Sequence, residues 1–332
     1  MNQTIQKMLV RFGLSSTDFA ITPIGTGYIH QTFKLAGKKS YVLQRVNKNV
    51  FTKPEVIASN LRIAADYLKK NYPDYLFLSA VPTTDGNEMA YDDEGFPWRL
   101  FPYFKNTITI DKVGNPEEAH SAAAEFGKLT RYLDKIDVKQ FKPTIEKFHD
   151  LSWRFEQFES ALKNPAPGRI QRAEDMIDVA HSFSYLVQEY NSLIQSGALK
   201  PRITHNDTKI NNVLFDSTSG NAVCAIDLDT LMPGYFIYDL GDIVRTFVSP
   251  VDEEEKDLAK VVVRKEIYQA VITGYLSQMG EMLSDAEKKA IPFSGLMMTY
   301  IMALRALTDF INGDIYYHIK YEGQNLVRAK NL

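Results

Sequence analysis

Ile203-Thr204-His205-Asn206-Asp207-Thr208-Lys209-Ile210-Asn211-Asn212-Val213-Leu214-Phe215, followed by Ala225-Ile226-Asp227-Leu228-Asp229, is the stretch on which the rest of the chain is organised. Reduced to chemistry it reads H-x-D-x-K-x-x-N, an apolar run, then I-D. Asp207 and Asn212 share one loop, so their oxygen-bearing ends can face a common point. A β-hairpin over Asn212–Phe215 and Ala222–Leu228 would bring Asp227 beside Asn212. Two carboxylates and one amide oxygen suit a hard cation such as Mg²⁺, which keeps several waters and takes its other ligands from phosphates.

Outward from that stretch, the 332 residues suggest two domains or one domain of two lobes. Apolar content of 45 % and charged content of 24 % leave material for a large core. The net charge of −3 has no block of like charge behind it beyond Asp252–Glu255. No basic stripe points to nucleic acid, so a small partner is expected. The single cysteine, Cys224, excludes an intrachain disulfide and reads as a small buried hydrophobe. The N-terminus carries no basic-then-apolar signal, and no apolar run approaches the ~18 residues of a membrane span. The expectation is a cytoplasmic monomer with no membrane partner.

Apolar spacing predicts a lead-in helix over Thr4–Phe12, then strands Phe19–Ile24, Ile29–Leu35 and Tyr41–Val46. The turn Gly25-Thr26-Gly27 lies between the first two. Glycines there can bring backbone N–H groups close to phosphates, although hairpin turns carry the same pair for positive φ. A helix with proline at its start covers Pro54–Leu68, and strands follow at Leu76–Pro82, Glu88–Tyr91 and Pro97–Phe104. Proline within the last marks an edge or a strand end. From Asn115 the pattern is helical: Pro116–Leu133, Trp153–Leu162, Arg172–Gln195, Asp239–Phe247, Glu254–Met279, Asp285–Phe310 and Ile315–Tyr321. The expected architecture is α+β, with a small sheet lobe over 1–104, a larger helical lobe over 105–332, and a cleft between.

The loop resembles the catalytic loop and metal-binding strand of protein kinases, which implies that fold and phosphoryl transfer. In that reading Asp207 accepts the proton of an attacking hydroxyl, and Asn212 and Asp227 hold Mg²⁺ on ATP. Otherwise Asp207 is a helix N-cap. Lys209 is either a cation beside the γ-phosphate or a solvated surface lysine. His205 and Asn211 are read as shaping the loop backbone. Asp229, two residues beyond Asp227, would share its face on a strand, as a second metal contact or, preferably, an acceptor for substrate hydroxyls. Asp239 is read as structural support, a helix N-cap or a brace for the Asp207 loop.

More narrowly, the chain resembles the aminoglycoside phosphotransferase and choline kinase superfamily, and within it the bacterial N-acetylhexosamine 1-kinases. The resembling stretches are Thr204–Leu214, Ile226–Gly234, Phe148–Phe158, Pro292–Gly295 and Gly313–Tyr316. That family phosphorylates the anomeric hydroxyl of N-acetylglucosamine or N-acetylgalactosamine with ATP and Mg²⁺. The resemblance makes Asp229, Arg305 and Tyr316 sugar contacts. In one member of that family the glycine loop reads G-D-G-H-I-N and its His reaches the sugar. Here Gly25, Thr26 and Gly27 would face the nucleotide, Tyr28 takes the place of that His, and His30, two residues on and on the same strand face, would partly substitute for it as a sugar contact. On the third strand Gln44 stands where kinases carry the phosphate-holding Lys, and Arg45 would have to reach round from the other face. Rival readings are a kinase of choline, homoserine or another sugar, and a nucleotide-sensing pseudokinase; the latter would most readily lose Asp207, Asn212 or Asp227, and all three are present.

Overall fold

The computed structural model describes residues 2–24 and 30–332. Gly25, Thr26, Gly27 and Tyr28 therefore lie outside the described residues. In chain order the elements begin with α1 (Asn2–Arg11), β1 (Ala20–Pro23), β2 (Gln31–Ala36), β3 (Tyr41–Arg45) and α2 (Pro54–Asn71). Next come β4 (Ala90–Tyr91), β5 (Pro97–Pro102), β6 (Thr107–Ile108), α3 (Pro116–Leu133), α4 (Leu151–Lys163), α5 (Arg169–Ser182) and α6 (Tyr185–Gln195). The remainder is β7 (Arg202–Thr204), β8 (Val213–Asp216), β9 (Ala222–Ala225), β10 (Met232–Gly234), α7 (Phe236–Phe247), α8 (Lys265–Met279), α9 (Asp285–Lys289), α10 (Ile291–Ile311) and α11 (Gln324–Asn331).

The chain divides into two compact units. A sheet unit comprises Met1–Ile108, Tyr132–Ile145 and Leu214–Pro233. A helical unit comprises Thr109–Arg131, Glu146–Val213 and Gly234–Leu332.

In the sheet unit five antiparallel strands run in the order β1-β2-β3-β5-β4. Alternation separates the two faces of the sheet. Phe33, Leu35, Leu43, Trp98 and Leu100 bury one face against Ile5, Met8, Leu9 and Phe12 of α1 and its end. Thr32, Gln44 and Arg99 form a row across the other, because Thr32 is registered opposite Gln44 and Gln44 opposite Arg99. The strand β5 lies inside the sheet, and of the two readings of its prolines only the strand end holds: Pro97 opens it and Pro102 closes it. The strand expected over Leu76–Pro82 is reduced to one bridge, Val81 to Leu100.

In the helical unit α10 is the central element, packed on α7, α4, α5 and α11. Contrary to the sequence expectation, this 21-residue helix is long and apolar enough to cross a membrane by length and composition. Half of its apolar window is buried within the protein, and the core helix of a soluble protein passes the same test.

Two expected long helices are divided and a third is shortened. Arg172–Gln195 breaks after α5, where the Ser182 hydroxyl donates to the Val179 carbonyl (2.7 Å), and α6 ends at Gln195, followed by Ser196 and Gly197 with φ of 67°. Asp285–Phe310 breaks at Ala290, where Pro292 in the first turn of α10 removes a donor. Over 252–259 the carboxylates of Asp252, Glu255 and Asp257 accept the N–H groups of Glu254, Asp257 and Ala259, so α8 starts only at Lys265. The helix expected over Ile315–Tyr321 is absent; Asp309 accepts the N–H groups of Tyr316 (2.8 Å) and Tyr317 (2.9 Å) instead.

Candidate active site

In the helical unit the loop after β7 is held by α7. The N–H groups of His205 (3.0 Å) and Asn206 (2.7 Å) donate to the Asp239 carboxylate. Thr208 N–H donates to Asp242 (2.8 Å) and the Thr208 hydroxyl to the Asp239 carbonyl (2.8 Å). Asp239 thus braces the loop and is not the N-cap of α7, a place taken by Tyr235. Burial pushes its carboxyl up to about 6, against the lowering effect of His205 and the two N–H donors. Asn206 adopts φ of 64°, a left-handed conformation that Asn tolerates better than most residues, and its carbonyl accepts from His149 Nε2 (2.8 Å). His205 is fully buried, edge-on to Phe126, and accepts Asp207 N–H at 3.3 Å, the loop-shaping part expected of it.

This bracing turns Asp207, Lys209 and Asn212 toward one another. Asn212 Nδ2 donates to the Asp207 carbonyl (2.8 Å) and carboxylate (3.1 Å), which leaves its Oδ1 directed elsewhere as an acceptor. Lys209 Nζ lies 3.0 Å from the Asp207 carboxylate, with the Lys side chain about half exposed. Burial raises the Asp207 carboxyl, but Lys209, then His205 and Arg245, outweigh it and hold the group below its ordinary range. Asp207 is therefore ionised at neutral pH. It caps no helix, since Lys209 immediately precedes the short turn Ile210–Asn212.

Elsewhere in the same unit, Arg305 on α10 sets its guanidinium near the rings of Phe148 (5.4 Å), Tyr317 (5.7 Å) and Tyr316 (6.0 Å). Arg305 and Tyr316, eleven positions apart, are thus brought together. Arg154 is close enough that, after burial, Arg305 is the next cause lowering its pKa to about 10.

In the sheet unit β9 ends at Ala225, so Asp227 is not on a strand. It is exposed, with φ of 57°, and opens the short turn Leu228–Thr230. The expectation that Asp227 and Asp229 share a strand face fails for this reason. Asp229 is buried and has both oxygens engaged: Arg99 Nη1 donates to Oδ1, and His30 Nε2 lies 2.7 Å from Oδ2. Burial raises its carboxyl, but Arg99 and then His30 outweigh it and hold it far below the usual range. Even so, His30, Asp227 and Asp229 bring one potential ligand atom each within 4.8 Å of one another. The Asp227 carboxylate offers this cluster an oxygen donor of the kind a hard divalent cation takes.

Gln44 is not open on its acceptor side, because its Oε1 takes Arg99 Nε (2.8 Å) and Nη2 (2.6 Å) while its Nε2 donates to Thr32 (3.1 Å). Arg45 does not reach round; it pairs with Asp92 and Glu94 and covers the Phe96 ring at 3.6 Å. The residues missed from sequence are Arg99, Asp242 and His149. For Arg99 a signal existed: it is the sole charge in the strand Pro97–Pro102, whose other residues are apolar. A charge in such a strand calls for a buried partner.

Residues 20–263 match the family model APH, described as the phosphotransferase enzyme family. Among solved structures of similar fold, a microcompartment-associated aminopropanol kinase is 17 % identical, with TM-score 0.63 over 100 % of this chain and 94 % of that one. An amicoumacin kinase solved with AMP-PNP and Ca²⁺ is 15 % identical, with TM-score 0.62 over 94 % and 87 %. An aminoglycoside phosphotransferase from Alicyclobacillus acidocaldarius is 12 % identical, with TM-score 0.63 over 98 % and 90 %. These likenesses show the fold, which is α+β and protein-kinase-like.

Proposed function

Because the chain belongs to the phosphotransferase enzyme family, we propose that it is an ATP- and Mg²⁺-dependent kinase of a small molecule, acting on the anomeric hydroxyl of an N-acetylhexosamine. The observation that carries the kinase reading is the Asp207 loop: an ionised carboxylate beside an ammonium, with an amide oxygen of Asn212 left to a ligand. Asp207 orients the acceptor hydroxyl and takes its proton as the bond from that oxygen to the γ-phosphorus forms. The bond from γ-phosphorus to the bridging oxygen breaks, and ADP leaves. Lys209 offsets the negative charge spread over the transferring group. Asn212 Oδ1 and the Asp227 carboxylate would hold Mg²⁺, which when bound neutralises phosphate charge.

The sugar reading is supported by the stretches that resemble N-acetylhexosamine 1-kinases, with Arg305 and Tyr316 as contacts for sugar oxygens. A cationic acceptor such as choline fits less well. The aromatic rings that could cage it are already shared with the Arg305 guanidinium, near Arg154, and like charge opposes a quaternary ammonium. The sugar, its 1-phosphate and ATP are placed in the cytoplasm on this reading, with the enzyme a monomer.

The test is turnover of N-acetylglucosamine, N-acetylgalactosamine, glucose, galactose and choline with ATP and Mg²⁺, scored for phosphate transfer and for loss of the reducing end. With Asp207→Asn, kcat falls by roughly 10²- to 10⁴-fold. Phosphate on a hydroxyl other than the anomeric one, or transfer to choline alone, removes the sugar assignment and keeps the kinase.

A further inference from the structure

Arg99 is 3 % exposed, and nothing in the kinase reading uses it. Its donors go to two acceptors. Nε and Nη2 converge on Gln44 Oε1, its neighbour across β3 and β5, and Nη1 reaches Asp229 Oδ1. The other oxygen of Asp229 belongs to His30. Asn47 N–H donates to His30 Nδ1 at 3.0 Å, so that nitrogen carries the lone pair. The proton then sits on Nε2 and is donated to Asp229. Both oxygens of Asp229 are committed, and a cation drawn to it would meet a guanidinium. Asp229 is thereby a poor second metal ligand and a poor acceptor for substrate hydroxyls.

What Asp229 anchors, through the Arg99 and His30 side chains, is the turn to which it belongs. It lies inside the turn that Asp227 opens, and Asp227 sits at φ of 57° and ψ of 55°, a conformation that costs a non-glycine residue free energy. The far end of the same turn is tied by Asn60, whose Nδ2 donates to the Leu231 carbonyl at 3.0 Å. Just ahead of those ties lies the exposed Asp227.

We propose that Arg99 is a positioning residue for metal binding: fixed by Gln44 and paired with Asp229, it sets the turn that presents Asp227 to the divalent cation of the nucleotide. This rests on the phosphotransferase reading. It assigns the sheet's buried positive charge to holding a metal ligand in place, with no contact to phosphate.

The experiment is Mn²⁺ binding in the presence of ADP, followed by electron paramagnetic resonance, beside thermal unfolding of each variant. Arg99→Lys keeps the charge but cannot fork between Gln44 and Asp229, and it weakens Mn²⁺ binding by roughly 10- to 100-fold. Arg45→Met, which removes a guanidinium from the same sheet among Asp92, Glu94 and Phe96, leaves Mn²⁺ binding unchanged. A folded Arg99→Lys that binds Mn²⁺ as wild type does overturns the proposal. Should Arg99→Lys fail to fold, the double variant Arg99→Gln/Asp229→Asn decides, since it removes both buried charges together. Weakened Mn²⁺ binding there sustains the proposal, and unchanged binding overturns it. A wild-type chain that takes up no Mn²⁺ with ADP instead overturns the kinase reading itself, and this proposal with it.

Discussion

Lys209 and Asp207 illustrate how one contact sets a titration. The ammonium 3.0 Å away keeps the carboxylate ionised against the pull of burial. In Lys209→Met burial is less opposed, so the Asp207 carboxyl moves up. The acid limb of the kcat/KM profile should then shift to higher pH, and a limb that stays in place refutes the coupling. His149 gives a stability prediction of opposite origin. Burial holds this imidazole at about 4 against an ordinary 6.5, so it folds neutral. A depressed folded value contributes stability above pH 6.5 that is lost as pH falls through 4. The stability advantage of wild type over His149→Gln should shrink by on the order of 3 kcal/mol between those limits, measured by denaturant titration at each pH. That Asp207 and Asn212 would share one loop was legible because their spacing is local. The partner of Arg99 was not, because Asp229 is 130 positions away and no periodicity links them; the lone charge in an apolar strand signalled only that a buried partner was needed.

Among the elements, α7 and α10 approach closely, and glycine makes this possible on both sides. A Cβ on Gly241 would meet the Ser294 carbonyl oxygen at 2.4 Å, whereas one on Gly295 would meet the Val244 side chain at 2.7 Å. Backbone gives less readily than a side chain. Gly241→Ala should therefore cost more stability than Gly295→Ala, by roughly 1–3 kcal/mol in urea unfolding. Because α7 also carries Asp239 and Asp242, activity should fall with it. Helical periodicity identified these elements but ran on through their breaks. A hydroxyl at Ser182, a proline at position 292 and carboxylates along 252–257 each redirect a few hydrogen bonds without disturbing the apolar spacing. The segment 315–321 misled for the same reason, since its N–H groups were claimed by Asp309.

For the whole molecule, the α+β class and the kinase-like fold followed from the order of strands and helices around one motif. How the chain distributes itself between compact units did not. Ligand linkage offers a check on the nucleotide reading at this scale. ADP with Mg²⁺ at about 100 times the dissociation constant should add ~2.7 kcal/mol to unfolding. Chelation of the metal should abolish most of the resulting rise in melting temperature, and a rise indifferent to chelator would sever metal from nucleotide.

The sheet unit is assembled from three separate stretches, the last ending at Pro233. On a ribosome that emits the chain from its N-terminus, Arg99 waits through more than a hundred further residues for Asp229 to be made. Until then a guanidinium destined for burial has no carboxylate, and the five strands cannot close their polar face in final form. Synthesis of this protein thus has a late checkpoint, and a gene cut near codon 104 would yield a fragment holding the cation without its counter-ion. Separately expressed halves should need each other during folding, so complementation by co-expression should outperform mixing of purified pieces.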